Sequence, residues 1–153
     1  MRSLYDTDFY AWTQKQAELL QMQQWSSLDL PNLIEEIESL GKQQRRELRN
    51  RLSVLIGHLL KWQYQPEQRS RSWLAIVRVQ RREVLQLLQE NPSLKPYLQE
   101  VLQQAFETGK DLAVSETNLP YKTLLSECDY SLEQILSDRF YPGESSSLTE
   151  EEF

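Results

Sequence analysis

The sequence has one cysteine, one histidine and four glycines, and it has no long apolar run. The lone Cys128 excludes an internal disulfide, and the start of the chain lacks an apolar leader, so we expect a cytoplasmic, reduced protein. No stretch reaches the ~18 apolar residues of a membrane-spanning helix, and no membrane association is expected. The glycines are isolated, which excludes a glycine-rich phosphate loop, and the sequence predicts no cofactor.

What the chain has in abundance is Gln, Glu, Leu and Arg, all of which favour helices. Apolar residues recur at helical spacing, most clearly at Leu48, Leu52, Leu55, Leu59 and Trp62. A second apolar stripe is predicted at Leu33, Ile37 and Leu40. The pattern predicts an all-α fold, a single-domain bundle of five or six helices with short connections over residues 4–142. Residues 143–153 are acidic and almost free of apolar residues, which predicts a disordered tail.

Helix ends are predicted where glycine or proline interrupts the pattern. Gly41 should end or bend a helix, and Gly109 weakens the case for a continuous one, because glycine costs about 1 kcal/mol relative to alanine in a helix. Pro66 and Pro92 should separate the central helices from one another.

Positive charge is concentrated in one part of the chain. Eleven of the seventeen Lys and Arg residues lie between Lys42 and Arg82, where only two acids occur, whereas the rest of the chain has six bases and twenty-one acids. The net charge of −6 disfavours indiscriminate binding to nucleic acid. The segregation marks either a polyanion site or helices whose charges pair internally.

Seven strings of the chain closely resemble a bacterial family known as domain of unknown function number twenty-nine. They span nearly the whole chain: YDTDFYAW at 5–12, NLIEEIESLG at 32–41, HLLKWQYQP at 58–66, RSRSW at 69–73, NPSL at 91–94, ETNLP at 116–120 and CDYSLE at 128–133. The resemblance implies a wholly helical protein. It implies no activity and no catalytic residues.

Arg51 and His58 resemble the Arg and His element of the HEPN superfamily, small helical domains that often act as metal-independent ribonucleases. A spacing of seven residues places both side chains on one helical face, where an imidazole moves protons and a guanidinium holds a phosphate. Arginine is so frequent between 42 and 82 that such a pair also arises by chance. The alternative is that His58 is a structural residue near the core.

Six arginines on the two basic helices are candidates for binding polyanions: Arg45, Arg46, Arg49, Arg78, Arg81 and Arg82. Trp62, Tyr64 and Trp73 lie near them in sequence and could stack on bases. Both tryptophans also continue apolar stripes, which favours the core for them. The arginines could equally form a solvated face or pair with acidic helices.

A polar cluster is predicted from acids and bases that a bundle could bring together: Glu35, Glu38, Lys61, Arg69, Arg71 and Glu116. Carboxylates with one imidazole can bind iron, manganese or zinc in a bundle core. One histidine cannot supply the paired motifs of a di-iron bundle, so no metal is predicted. The alternative is that the glutamates cap a helix and pair with the bases.

The sequence therefore favours a binding module over an enzyme, with a protein partner or nucleic acid held by the basic face around residues 42–82. A homodimer is compatible with it. The acidic tail could compete for the same face, in which case deleting residues 143–153 would tighten binding to a polyanion.

Overall fold

The computed structural model describes residues 2–124 and 126–150, and in these residues it confirms the all-α fold. Four helices are long and three have only four or five residues. Single turns of 3-10 helix connect several of them. The helices are α1 Leu4–Thr7, α2 Phe9–Gln21, α3 Leu30–Tyr64, α4 Arg71–Glu90, α5 Lys95–Glu116, α6 Leu132–Leu136 and α7 Ser147–Glu150.

Two helix boundaries differ from the prediction. Gly41 does not end a helix, since α3 continues through it for 35 residues. Gly109 lies inside α5, which is also continuous. The breaks predicted at the prolines are present. Pro66 and Pro92 each begin a short 3-10 turn between two long helices.

The chain divides into two compact units, one up to Gln44 and the other from Arg45 onward. The first unit is built around Trp12, whose Nε1 donates to the Asp29 carboxylate at 2.9 Å. The Asp29 backbone N–H in turn donates to the side-chain oxygen of Gln16. Tyr5 donates its hydroxyl to Glu36, which raises the pKa of Tyr5 to about 12. These bonds tie α1 and α2 to the start of α3.

The predicted apolar stripe of this unit is not buried as expected. Ile37 is 67% exposed and Leu40 is 61% exposed, and Leu30 and Ile34 are also more than half exposed. The hydrogen bonds of this unit instead go to Asp29, just before α3, from Trp12 of α2, and to Glu36 on α3, from Tyr5 of α1. The helical spacing of the stripe was correct, but its burial was not.

The second unit contains the main core. The stripe predicted from Leu48 to Trp62 is completely buried, with every one of its five members at 0% exposure. It packs with apolar residues of α4 and α5 and with residues of the C-terminal segment, among them Val77, Val84, Val101, Phe106, Leu119, Leu124, Tyr130 and Ile135.

Helices α3 and α5 run parallel within this unit and cross closely at two glycines. A Cβ added to Gly109 would lie 3.0 Å from the backbone nitrogen of Gly57, and one added to Gly57 would lie 3.0 Å from the Gly109 carbonyl oxygen. Gly109 therefore does not weaken α5. Its lack of a side chain permits the contact between the helices.

The C-terminal segment is fastened to the end of α3. Arg69 donates to the carbonyl oxygens of Trp62, Pro142 and Glu144. Gly143, with a φ of +88°, turns the chain there, and an added Cβ would lie 3.1 Å from the Gln63 carbonyl oxygen. Helix α7 then contacts α4. The predicted disorder of the tail is not confirmed, and residues 151–153 lie outside the described residues.

In the described part of the chain, every helix is too short or too polar to cross a membrane.

Candidate functional site

A groove runs along α4 in the second unit and has a volume of about 760 Å³. Its residues on α4 recur every three or four positions, which places them on one face of the helix. The opposite wall comes from Leu136, the last residue of α6, and from Asp138 just after it. The lining consists of Arg78, Arg81, Arg82, Leu85, Gln86, Gln89, Glu90, Leu136 and Asp138.

The character of the groove changes along its length. The three arginines lie at the end nearer the start of α4, Leu85 comes next as an apolar residue, and Gln86 and Gln89 follow with amide groups. Leu136 adds a second apolar side chain from the opposite wall. Leu85 is exposed, although it is a large apolar residue. The groove thus offers positive charge, apolar contact and hydrogen-bonding groups in sequence, as a site for an extended, partly anionic ligand requires.

Arg81 attaches the C-terminal wall of the groove to α4. The residue is only 3% exposed, and its Nε donates to the Ile135 carbonyl oxygen at 2.8 Å, while Nη2 donates to that of Phe140. The guanidinium also lies over the ring of Tyr141, 5.0 Å from its centroid. Burial lowers the pKa of Arg81. Even so, a guanidinium stays charged at any ordinary pH, so the floor of the groove is cationic.

The structure does not bring all six candidate arginines to one surface. Arg45, Arg46, Arg78 and Arg82 are exposed, Arg49 is half-buried and Arg81 is buried. The Arg45 guanidinium lies 4.8 Å from the centroid of the Tyr97 ring on α5, whereas Arg78 and Arg82 line the groove on α4. Arg78 and Arg82 therefore share a groove in which Arg45 takes no part.

The aromatic residues near these arginines are not stacking platforms. Trp62 is completely buried, and Arg69 lies over its ring. Trp73 is half-buried with the Lys61 ammonium 4.5 Å from its ring centroid, and Tyr64 packs against the core. Their places agree with the alternative that they belong to the core.

A second group of titratable side chains lies where α3 and α5 end. Lys61 is 4% exposed, and its Nζ donates to the Glu116 carboxylate at 2.6 Å. This hydrogen bond lowers the pKa of Glu116. A hollow of about 350 Å³ beside them is lined by Gln65, Gln68, Trp73, Ser115, Glu116, Thr117 and Asn118. Glu116 supplies the counter-charge that the buried Lys61 ammonium needs. The pair therefore has a structural role, whether or not the hollow binds a ligand.

His58 is next to this pair and is 7% exposed. Its Nδ1 is 3.0 Å from the Val54 carbonyl oxygen, which can only accept, so Nδ1 carries the proton. Burial lowers the pKa of His58, which favours the neutral ring. Its charged neighbours are Lys61 and Glu116.

Arg51 is engaged elsewhere. Its guanidinium contacts Glu47 at 3.1 Å and Glu83 at 3.9 Å, and it donates to the side-chain oxygen of Gln80. The pairing of Arg51 with His58 that a HEPN-like site needs is not present in these contacts. Although Arg51 and His58 lie on the same face of α3, their side chains have different partners.

The remaining members of the predicted polar cluster are dispersed. Arg69 donates to backbone carbonyls, as described above, and Arg71 lines a hollow of about 340 Å³ with Arg78 and Arg82. Glu35 and Glu38 are exposed in the first unit. Among the residues that the structure describes, no three His, Cys, Asp or Glu side chains come close enough to hold a metal ion.

Sequence reasoning missed the groove as a unit. The helical spacing of Arg78, Arg82, Leu85 and Gln89 would have identified one wall, because residues three and four apart share a face. Nothing in the sequence indicates that Leu136 and Asp138 form the other wall, since this depends on the hydrogen bonds of Arg81 to the C-terminal segment.

Comparisons with known proteins identify the family of this chain. No curated protein and no solved structure is significantly similar to the chain. A family model, described as "Domain of unknown function DUF29", matches residues 4–141. This match covers most of the chain, including every residue of the groove and the Lys61–Glu116 pair, and the protein therefore belongs to the DUF29 family.

Proposed function

We propose that this protein is a binding module and that the groove along α4 holds an acidic, partly apolar segment of a protein partner. The observation that carries the proposal is the lining of the groove, in which Arg78, Arg81 and Arg82 are followed by the apolar Leu85 and Leu136. Acidic motifs are commonly recognised by arginine clusters, and apolar neighbours give such a site contact area and register.

A protein partner fits this lining better than a nucleic acid. Binding to a phosphate backbone needs several exposed bases along one surface, and single strands also need aromatic platforms. Arg81 is buried, Arg45 lies over Tyr97, and Trp62 is buried. Part of the groove is apolar, which favours a peptide side chain over a phosphodiester.

The same contacts weigh against the ribonuclease alternative. A general base must reach the substrate, but His58 is buried and its Nδ1 is used by Val54. Arg51 is held by two glutamates, Glu47 on the preceding turn of α3 and Glu83 on α4. A cytoplasmic location and a homodimer also stay predictions, to be checked by cell fractionation and by sedimentation of the full chain.

Selection of ligands from unbiased pools tests the proposal. The full chain is panned against a random-peptide library and, in parallel, against a random single-stranded RNA pool. We expect enriched peptides with a carboxylate a few residues from an apolar side chain, and no enriched RNA. Binding of a synthetic enriched peptide should weaken with salt and should be lost in Leu85→Asp.

The matched controls are Arg82→Gln in the groove and Arg46→Gln outside it. Both remove one exposed arginine, but only the first should weaken peptide binding. Enrichment of RNA in place of peptides, the absence of any enriched acidic peptide, or equal effects of the two glutamine variants would overturn the proposal.

A further inference from the structure

Large apolar side chains are exposed mainly in the first unit. Among the described residues, ten of them lie in that unit and three in the second. Four of the ten follow one another on α3, where Leu30, Ile34, Ile37 and Leu40 are each more than half exposed. A single exposed apolar residue is ordinary, but a run of them over three turns of one helix marks a surface that binds another molecule.

Gly41 continues the same face of α3. It lies seven residues beyond Ile34 and four beyond Ile37, and residues at this spacing share one side of a helix. A Cβ added to Gly41 would have no atom within 4 Å, so this glycine leaves an open recess beside exposed apolar side chains. The pair Gly57 and Gly109 shows what a glycine inside a helix does in this protein, because there it permits two helices to cross closely.

Charged side chains of opposite sign lie on the two sides of this recess. Glu35 and Glu38 precede Leu40 on α3, and Lys42 follows it. All three charged residues are exposed, and none of them forms an ion pair in the part of the chain that the structure describes. A second copy of α3 that runs in the opposite direction presents these charges in the reverse order. Its lysine then meets an acid of the first copy, and such complementarity selects both partner and orientation.

From these observations we infer that two copies of this chain associate through residues 34–42 of α3, antiparallel, about a two-fold axis between Ser39 and Leu40. Helix geometry then brings three kinds of residue together, each within one residue of its counterpart along the axis. Leu40 meets Leu40 of the second copy. Ile37, which is 67% exposed, enters the recess at Gly41. Glu38 meets Lys42.

The arrangement is self-complementary, as a two-fold interface requires, and each contact away from the axis therefore occurs twice. It covers about 12 Å of helix, which is less than the roughly 800 Å² per partner of a typical stable complex can be built from. We therefore expect a reversible dimer that forms in concentrated solution and dissociates on dilution. The inference goes beyond the proposed function, because it concerns the first unit and uses no residue of the groove.

Sedimentation equilibrium of the full chain, from about 1 µM to 1 mM, tests the inference. We expect monomer at the low end of this range and dimer at the high end. Ile37→Ser should weaken the dimer at least about tenfold, because an apolar contact is lost twice. Val79→Ser removes an exposed apolar side chain of α4 and is the matched control, which should leave association unchanged. Gly41→Ala should weaken the dimer by filling the recess, although the open space around Gly41 allows the monomer to keep its stability.

A charge exchange tests the antiparallel orientation. Glu38→Lys and Lys42→Glu each place like charges together across the interface, and each should weaken the dimer at least about threefold. A chain that carries both substitutions restores opposite charges at every one of these contacts and should regain the original affinity. In a parallel pair Glu38 would meet Glu38, so the combined exchange would give no recovery.

Cross-linking locates the two-fold axis. In a Cys128→Ser background, Leu40→Cys should form a disulfide between copies at millimolar concentration, because residues beside the axis come within the Cα separation of about 4.4–6.8 Å that a disulfide spans. Gln44→Cys should not, since the two Gln44 positions lie nine residues apart along the paired helices, about 13.5 Å.

Four results would overturn the inference: monomer at every concentration, equal effects of Ile37→Ser and Val79→Ser, no recovery in the charge exchange, or equal cross-linking at residues 40 and 44. Circular dichroism of each variant establishes that it is folded, which is expected because the substituted side chains are exposed. Binding of an enriched peptide should be the same in Ile37→Ser as in the original chain. Failure of the dimer is thereby distinguished from failure of the groove.

Discussion

Two substitutions of the same chemical kind should have opposite effects on stability. Gly109→Ala and Gly41→Ala both add one methyl group inside a long helix. At Gly109 the new Cβ would lie 3.0 Å from three atoms: the Gly57 nitrogen, the Ser53 carbonyl oxygen and a methyl carbon of Ile56. At Gly41 no atom lies within 4 Å of the added carbon.

The magnitudes follow from these contacts. Alanine gains about 1 kcal/mol over glycine in a helix at either position. At Gly109 overpacking costs about 1–3 kcal/mol. We expect the upper part of that range, because two of the three neighbours are backbone atoms that cannot rotate away. Gly109→Ala should therefore lower the free energy of unfolding by about 2 kcal/mol, whereas Gly41→Ala should raise it by up to about 1 kcal/mol.

Urea denaturation followed by circular dichroism measures both changes. The two variants should differ by about 3 kcal/mol. If Gly109→Ala were as stable as Gly41→Ala, helix propensity alone would explain both glycines. The close crossing of α3 and α5, which also brings Lys61 to Glu116, would then be refuted.

Three further outcomes are expected. The free energy of unfolding should fall as the pH drops below about 6.5, the ordinary pKa of histidine, because the lowered pKa of His58 makes the unfolded chain bind the extra proton first. His58→Gln should lose this pH dependence, and an unchanged slope of the free energy of unfolding against pH would contradict the prediction. A second decline of the free energy of unfolding should begin below a pH of about 4.5, because the pKa of Glu116 is lowered in the folded protein. In a double-mutant cycle, Glu116→Ala should destabilise the fold by about 1–3 kcal/mol, and Lys61→Met in addition should recover much of the loss, because the unpaired ammonium is then gone. Truncation after Glu144 keeps the bonds of Arg69 but removes α7 from α4, and it should tighten binding of an enriched acidic peptide; equal affinity would refute competition by the tail.

Local chemistry was sufficient to predict much of the fold. The four-three spacing from Leu48 to Trp62 identified a buried face, and the structure buries all of it. The same spacing failed for Ile37 and Leu40, which are exposed. Spacing determines which residues share a face, but whether that face is covered depends on a neighbouring element.

The candidate site shows the same division. The excess of arginine between residues 42 and 82 correctly drew attention to α4, but it also suggested a single ridge that included Arg45. The contacts instead place Arg45 against Tyr97, and they bury Arg81 beneath Arg82 and Arg78 in a groove. Likewise, Arg51 and His58 share a face of α3 and still have different partners.

By itself, the sequence determined the helices, their proline boundaries, the main apolar face and the concentration of positive charge, because each depends on residues within a few turns of one another. The tertiary structure decided which arginine is buried, which glycine permits a helix crossing and which carboxylate meets Lys61. These depend on residues as far apart in the chain as Arg81 and Phe140, and only packing brings such groups within hydrogen-bonding distance.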